Sequence, residues 1–305
     1  MSTPPAKQTK EAAASEPMQM ESNRLRSPSA DVARHFMRNR LAVAGLIIVI
    51  LLIFTAIFAP FLAPADPAKQ NLEDKRTPPG AEYPLGADEF GRDILSRIIY
   101  GTRVALYVAL VAVAIAMAFG VIVGLLAGFA GGLVDNVIMR MVDIMLAFPY
   151  LLLAIAVVAA LGTGVQNTTI AVGIWAMPSF VRITRSQVIG VKNREYVTAA
   201  HALGLSTARL LWRHVLPNSI PTVIVFATLY MANAILLEAA LSFLGLGVQP
   251  PQPSWGLMVS SGRDFLRVAP HIATIPGIAI MIAVLGFNLM GDGLRDALDP
   301  TLRGR

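Results

Sequence analysis

Long apolar runs, each near the roughly 20 residues needed to cross a bilayer, constrain this 305-residue chain more than any other feature. The first, LAVAGLIIVILLIFTAIFAPF, covers Leu41 to Phe61 and exceeds the roughly 7 to 15 apolar residues of a secretory signal, so it reads as an uncleaved span. Others cover Val104–Phe129, Met145–Leu161, Pro221–Leu246 and Ile272–Met290, with a weaker one at Thr168–Val181. With 55% apolar and 14% charged residues, the chain is an all-α integral membrane protein of about six transmembrane helices rather than a soluble enzyme.

The basic residues set the expected orientation. With six spans, Arg24, Arg26, Arg34, Arg38 and Arg40 lie on one side with the loop carrying Arg182, Arg185, Lys192, Arg194, Arg209 and Arg213, and with Arg295, Arg303 and Arg305. Positive charge marks that side as cytoplasmic and places both termini there. Residues 1–39, polar and without apolar period, read as a disordered cytoplasmic tail. Residues 40–103 read as the first span plus an external segment. Gly120, Gly124 and Gly128, four apart, predict close helix packing in the second span. Pro149 and Pro178, near or inside spans, read as packing kinks.

Between spans lies a polar insert, YVTAAHALGLSTARLLWRHVLPN. Gly204 stands where a short helix would end in the left-handed conformation. Ser206 is placed to N-cap a second helix, with Leu205 and Leu210 at the spacing of a hydrophobic staple. Pro217 leads into the next span. Periodicity groups Ala208, Leu211, Trp212 and Val215 on one face, with Arg209 and Arg213 on another. Such a helix fits the lipid headgroups and a soluble partner equally well.

Several chemistries have no footing. There is no cysteine for a disulfide, thiolate metal site or nucleophile, and His35, His201, His214 and His271 form no H-E-x-x-H pair. No phosphate-binding G-x-x-x-x-G-K-[ST] loop occurs, so the sequence offers no P-loop for a nucleotide. Asp88 to Asp93, DEFGRD, has no nucleophile or base beside it and reads as the start of an interfacial helix leading into the second span. Tethering between spans argues against nucleic-acid binding by the insert.

The spacing Thr198-Ala199-Ala200, then Gly204, then Leu216-Pro217 resembles the "EAA" loop of ATP-binding-cassette (ABC) importer permeases, E-A-A-x3-G-x9-I-x-L-P. Thr198 stands in place of the Glu and His214 in place of the Ile. YPLGADEFGRDILSRIIYGTR, DNVIMRMVDIMLAFPYLLLAI and EAALSFLGLGVQPPQPSWG are similar to the dipeptide/oligopeptide/nickel group, in its second permease subunit. The resemblance implies a type I importer permease fold over 104–305, with a cytoplasmic coupling loop at 189–217 that docks on an ATPase. It further implies a homologous permease partner in a heterodimer, two ABC ATPase subunits holding ATP and Mg, and a periplasmic or lipid-anchored substrate-binding protein. No cofactor is expected on this chain, and the expected location is a bacterial inner membrane.

The coupling residues it implies are Thr198, Ala199, Ala200, Gly204, Leu205, Ser206, Arg209, Leu210, Trp212, Arg213, Leu216 and Pro217. Apart from the resemblance, Glu238 lies within an apolar run and is expected to face the bundle, as a structural hydrogen-bonding group or a pathway group. Arg140 and Asp143 are expected to form a local ion pair or gate contact. A gradient-driven transporter would call for several buried ionisable residues, of which Glu238 is the deep one.

Overall fold

The computed structural model describes residues 28–298. Helices α1 (Pro28–Arg38) and α2 (Arg40–Ile57) are joined at Asn39, whose side chain caps α2 by accepting from the Leu41 and Ala42 amides. The chain therefore becomes helical within what the sequence reads as tail, and residues 1–27 lie outside the described residues. A short helix α3 (Ala59–Leu62) and an irregular segment lead to α4 (Ile94–Ala130). Asp93 caps α4 through the Ser96 amide, and the helix runs unbroken, so no separate interfacial helix precedes the second span.

After α4 come α5 (Gly132–Ala147) and α6 (Tyr150–Leu161), bent by 94° at Phe148-Pro149, which is a break rather than a packing kink. Next are α7 (Val165–Lys192), α8 (Glu195–Ala202) and α9 (Thr207–Leu210). A π-turn at Leu211–Val215 joins α9 to α10 (Leu216–Phe243), followed by α11 (Trp255–Gly262) and α12 (His271–Leu298).

Among the described residues four stretches are long and apolar enough to cross a membrane, Arg40–Ile57, Ile94–Ala130, Thr207–Phe243 and His271–Leu298, and the bent α5–α6 pair makes a fifth if it is counted as one span. The weak run expected as another span is part of α7, which is 28 residues long but too polar to qualify by composition. Its packing explains the polarity. A Cβ on Gly124 would stand 2.6 Å from the Val181 carbonyl and 2.7 Å from Thr184 Cβ, and one on Gly128 would meet Val188 at 2.9 Å. Gly120 faces Phe180 in the same row. The glycine face of α4 thus receives α7 at backbone distance, and Thr168, Thr169 and Thr184 are sheltered from lipid, Thr168 and Thr169 donating to carbonyls one turn back. A second close pair joins α2 to α12, where a Cβ on Gly45 would meet Gly286 and Leu289 within 3 Å.

Candidate functional site

The polar insert is a helix-turn that plugs into the bundle's end. Gly204 has φ +83°, as its spacing predicts, and the Leu205 amide bonds the Ala200 carbonyl at 3.3 Å. This is the six-to-one bond of a Schellman cap, which places Gly204 at C′, Leu205 at C″ and Ala200 at C3. Leu205 and Ala200 are both partly buried against one small core. The Ala-Ala-x3-Gly spacing is therefore a helix-stop geometry: a small residue one turn back lets the capping leucine fold over.

That core consists of Leu125, Val188, Val191, Val197, Leu210 and Val215, joining the ends of α4 and α7 to the insert. Lys192 reinforces it, donating to the Phe129 carbonyl at 2.7 Å and lying over the Phe129 ring. An open concavity of about 370 Å³ beside it is lined by Thr198, Val197, Thr207, Leu210, Lys192, Asn193 and Phe129.

The apolar face that periodicity groups is split in the structure, Leu211 and Val215 packing on the core and Ala208 and Trp212 facing out. Leu210 and Val215 are buried, whereas Ala208 is exposed and Trp212 is 66% exposed. The π-turn causes the split: the Leu216 amide bonds the Leu211 carbonyl five residues back, so positions five apart come to one side. The second helix is accordingly not a separate unit but the start of a 37-residue helix, Thr207–Phe243, containing Leu216 and Pro217. Ser206 sits at the N-cap, but its side chain makes no capping bond. Leu205 does meet the cluster containing Leu210, as the staple spacing expects.

Outward, the insert presents Thr198, Ala199, Gly204, Arg209, Trp212 and Arg213. It also presents Leu203, 82% exposed, and Tyr196, which the motif omits.

Arg140 and Asp143 do not pair. Asp143 accepts from Arg182 of α7 at 2.5 Å, both half exposed, and Asp135 of α5 pairs in bidentate fashion with Arg185. Two ion pairs, about one turn apart on α7 and two on α5, therefore fasten α5 to α7, while Arg140 is exposed. The carboxylates choose arginines far along the chain because α5 packs on α7, which sequence proximity does not register.

Glu238 is 1% exposed, near the α10 end remote from the insert. Its Oε1 accepts from Ser242 Oγ at 2.7 Å and from Ser254 Oγ at 2.9 Å, and Ser242 Oγ in turn accepts the Val248 amide. It faces the bundle as expected, joining α10, the following loop and the approach to α11. Close by, Trp255 Nε1 donates to the Ile98 carbonyl. At the same end, buried Asp88 accepts the Phe90 and Arg92 amides and Arg92 Nε, and Arg97 Nε lies 3.4 Å from it. DEFGRD thus forms a buried electrostatic knot. Among the described residues no cluster of three or more His, Cys, Asp or Glu is arranged to hold a metal.

Comparison with known proteins places this geometry. Residues 120–304 match the family described as binding-protein-dependent transport system inner membrane component, and residues 27–79 match the N-terminal membrane domain of oligopeptide transport permease C. The chain is 48% identical to the di/tripeptide transport system permease protein DppC of Pseudomonas aeruginosa, over 91% of this chain and 93% of that protein. It is 46% identical to the dipeptide permease DppC of Alkalihalophilus pseudofirmus, over 91% of each. To the glutathione permease GsiD of Shigella flexneri it is 43% identical, over 92% and 93%. An inward-facing structure of the methionine ABC transporter MetNI has the same fold at TM-score 0.56 and 16% identity, covering 67% of this chain and 97% of that one.

Proposed function

We propose, because this chain belongs to the binding-protein-dependent inner-membrane permeases of the ABC peptide/oligopeptide family, that it carries short peptides into the cytoplasm as one half of a permease pair. The observation that carries the coupling part is the two-sidedness of the insert. Val197, Leu210 and Val215 fix it to the bundle, while Tyr196, Leu203, Arg209, Trp212 and Arg213 stand outward without a core of their own. An apolar and basic knob of this kind suits a groove on a soluble subunit.

The mechanism follows from the connections. Two ATPase subunits, holding ATP and Mg, close and displace the inserts of this chain and of a homologous permease. Because α9, the π-turn and α10 form one helix of roughly 55 Å, displacement at Trp212 passes along a rod toward Glu238. The pair then switches from facing the cytoplasm to facing outward, where a substrate-binding protein delivers its ligand. Hydrolysis reverses the switch. ATP and the binding protein each act by favouring one state over the other. Both termini and the 189–217 loop face the cytoplasm in this reading.

The test is purification of the tagged chain from its native membrane with and without Gly204→Asp. The wild type is expected to bring down an ATPase, a second permease and a binding protein. The variant is expected to remain in the membrane and lose the ATPase; retained ATPase and normal uptake would reject the coupling role.

A further inference from the structure

The structure assigns a solute-contacting site to a concavity of about 300 Å³ where α6, α7 and α10 meet, lined by Tyr150, Trp175, Asn233, Leu236, Leu237 and Ala240. We propose that a short peptide passes here, its backbone amides exchanging hydrogen bonds with Asn233 and its side chains sliding on Trp175 and Tyr150. The inference rests on the importer-permease reading and deepens it.

Asn233 carries the argument. Within the apolar runs at Leu41–Phe61, Val104–Phe129, Pro221–Leu246 and Ile272–Met290, it is the one amide or charged side chain in the exposed class. It lies near the middle of its run, roughly 15 Å or more from either end. A primary amide in hydrocarbon forfeits hydrogen bonds that nothing there replaces. Its own helix supplies little, since Nδ2 donates to the Leu229 carbonyl at 3.3 Å and no other hydrogen bond to it occurs among the described residues. This face therefore meets water or a polar group.

Its neighbours point to a solute. Trp175 lies between Tyr230, stacked at 5.5 Å, and Tyr150, tilted at 6.0 Å, so its indole has a fixed setting. Tyr150 is the first residue of α6, immediately after the 94° break, and is 57% exposed. The break thus places a phenol beside an indole and an amide. No charged side chain lines the concavity, so nothing selects a charged substrate side chain or holds the solute tightly. One amide, both donor and acceptor, matches the one group that all peptides share. Glu238 takes no part, being turned to Ser242 and Ser254.

The chain has no cysteine, so Asn233→Cys introduces a unique reporter. In proteoliposomes containing the assembled transporter, we expect a small, charged thiol reagent to label Cys at this position and to block dipeptide uptake, while Ile47→Cys on the outer face of α2 remains unlabelled. Asn233→Leu is expected to lower dipeptide uptake about fivefold, the equivalent of one neutral hydrogen bond, with co-purification of the partners unchanged. Asn233→Ser, keeping a polar group, is expected to retain most uptake and serves if the leucine variant does not accumulate in the membrane. An unlabelled Cys, or an Asn233→Leu variant that loses its partner permease, would overturn the proposal by making the residue part of a dry interface. Failure of the importer reading is seen separately, as absence of ATP-dependent uptake in the unaltered protein, whereas labelling reports water access whatever drives transport.

Discussion

Ser254 Oγ lies 2.9 Å from Glu238 Oε1, across the loop that separates α10 from α11. The same oxygen accepts from Ser242, so two buried hydroxyls depend on one acceptor atom. Glu238→Gln keeps a carbonyl acceptor, and normal expression and uptake are expected. Glu238→Ala strands both hydroxyls and leaves a cavity, at a cost of about 2 to 4 kcal/mol. Thermal unfolding of the two variants in detergent would separate them; equal losses would refute an acceptor role.

Asp88 holds two buried arginines, Arg92 and Arg97. Removing it leaves buried Arg97 without a carboxylate and Arg92 with Glu89 alone, so Asp88→Ala is expected to destabilise by about 3 kcal/mol. Protease resistance of the segment between α3 and α4 should fall with the thermal midpoint. An unchanged midpoint would mean that water reaches the arginines freely.

Gly124 and Gly190 make a matched pair. A Cβ on Gly124 meets backbone of α7, whereas a Cβ on Gly190 meets nothing within 4 Å. Gly124→Leu should abolish accumulation of folded protein by overpacking, and Gly190→Ala should be neutral or stabilise by up to about 1 kcal/mol. Membrane levels and melting midpoints of both variants test this.

Leu203 and Trp212 are exposed at 82% and 66%, so truncating them removes little internal packing. Leu203→Ser and Trp212→Ala are expected to leave the thermal midpoint unchanged and to weaken ATPase retention at least about tenfold each, as anchors of an interface do. If retention survives both, the knob meets lipid headgroups instead.

Orientation is tested by Ser206→Cys. In intact cells this exposed position should resist an impermeant thiol reagent and react after permeabilisation. Labelling from outside would invert the expected orientation.

Much of this molecule can be read from residue spacing, and the failures share a cause. Gly204 with Ala200, and the row Gly120, Gly124 and Gly128, express local backbone geometry, so their roles are visible in one dimension. The split of the insert's apolar face is not legible in the sequence because a 3.6-residue period does not register a π-turn, which groups Leu210 with Val215. Asp143 was matched to Arg140 because they are neighbours on a helix, whereas its partner Arg182 is brought near by tertiary packing. DEFGRD looked like an interfacial start because nothing local reveals that Arg97 folds onto Asp88. Tyr150, Trp175 and Asn233 belong to three helices, and each alone resembles ordinary span composition.

The π-turn at Leu211–Val215 has a consequence for how the chain tolerates changes of length. A π-turn accommodates one residue more than the α-helix around it. Loss of one residue there can be absorbed by reversion to α-helical winding, with α10 keeping its orientation in the bundle. Loss of one residue farther along α10 would rotate all that follows by about 100°, turning Asn233 and Glu238 away from their present neighbours. The five positions Leu211–Val215, where the exposed insert runs into α10, are thus where this helix can change length while the rest of α10 keeps its register.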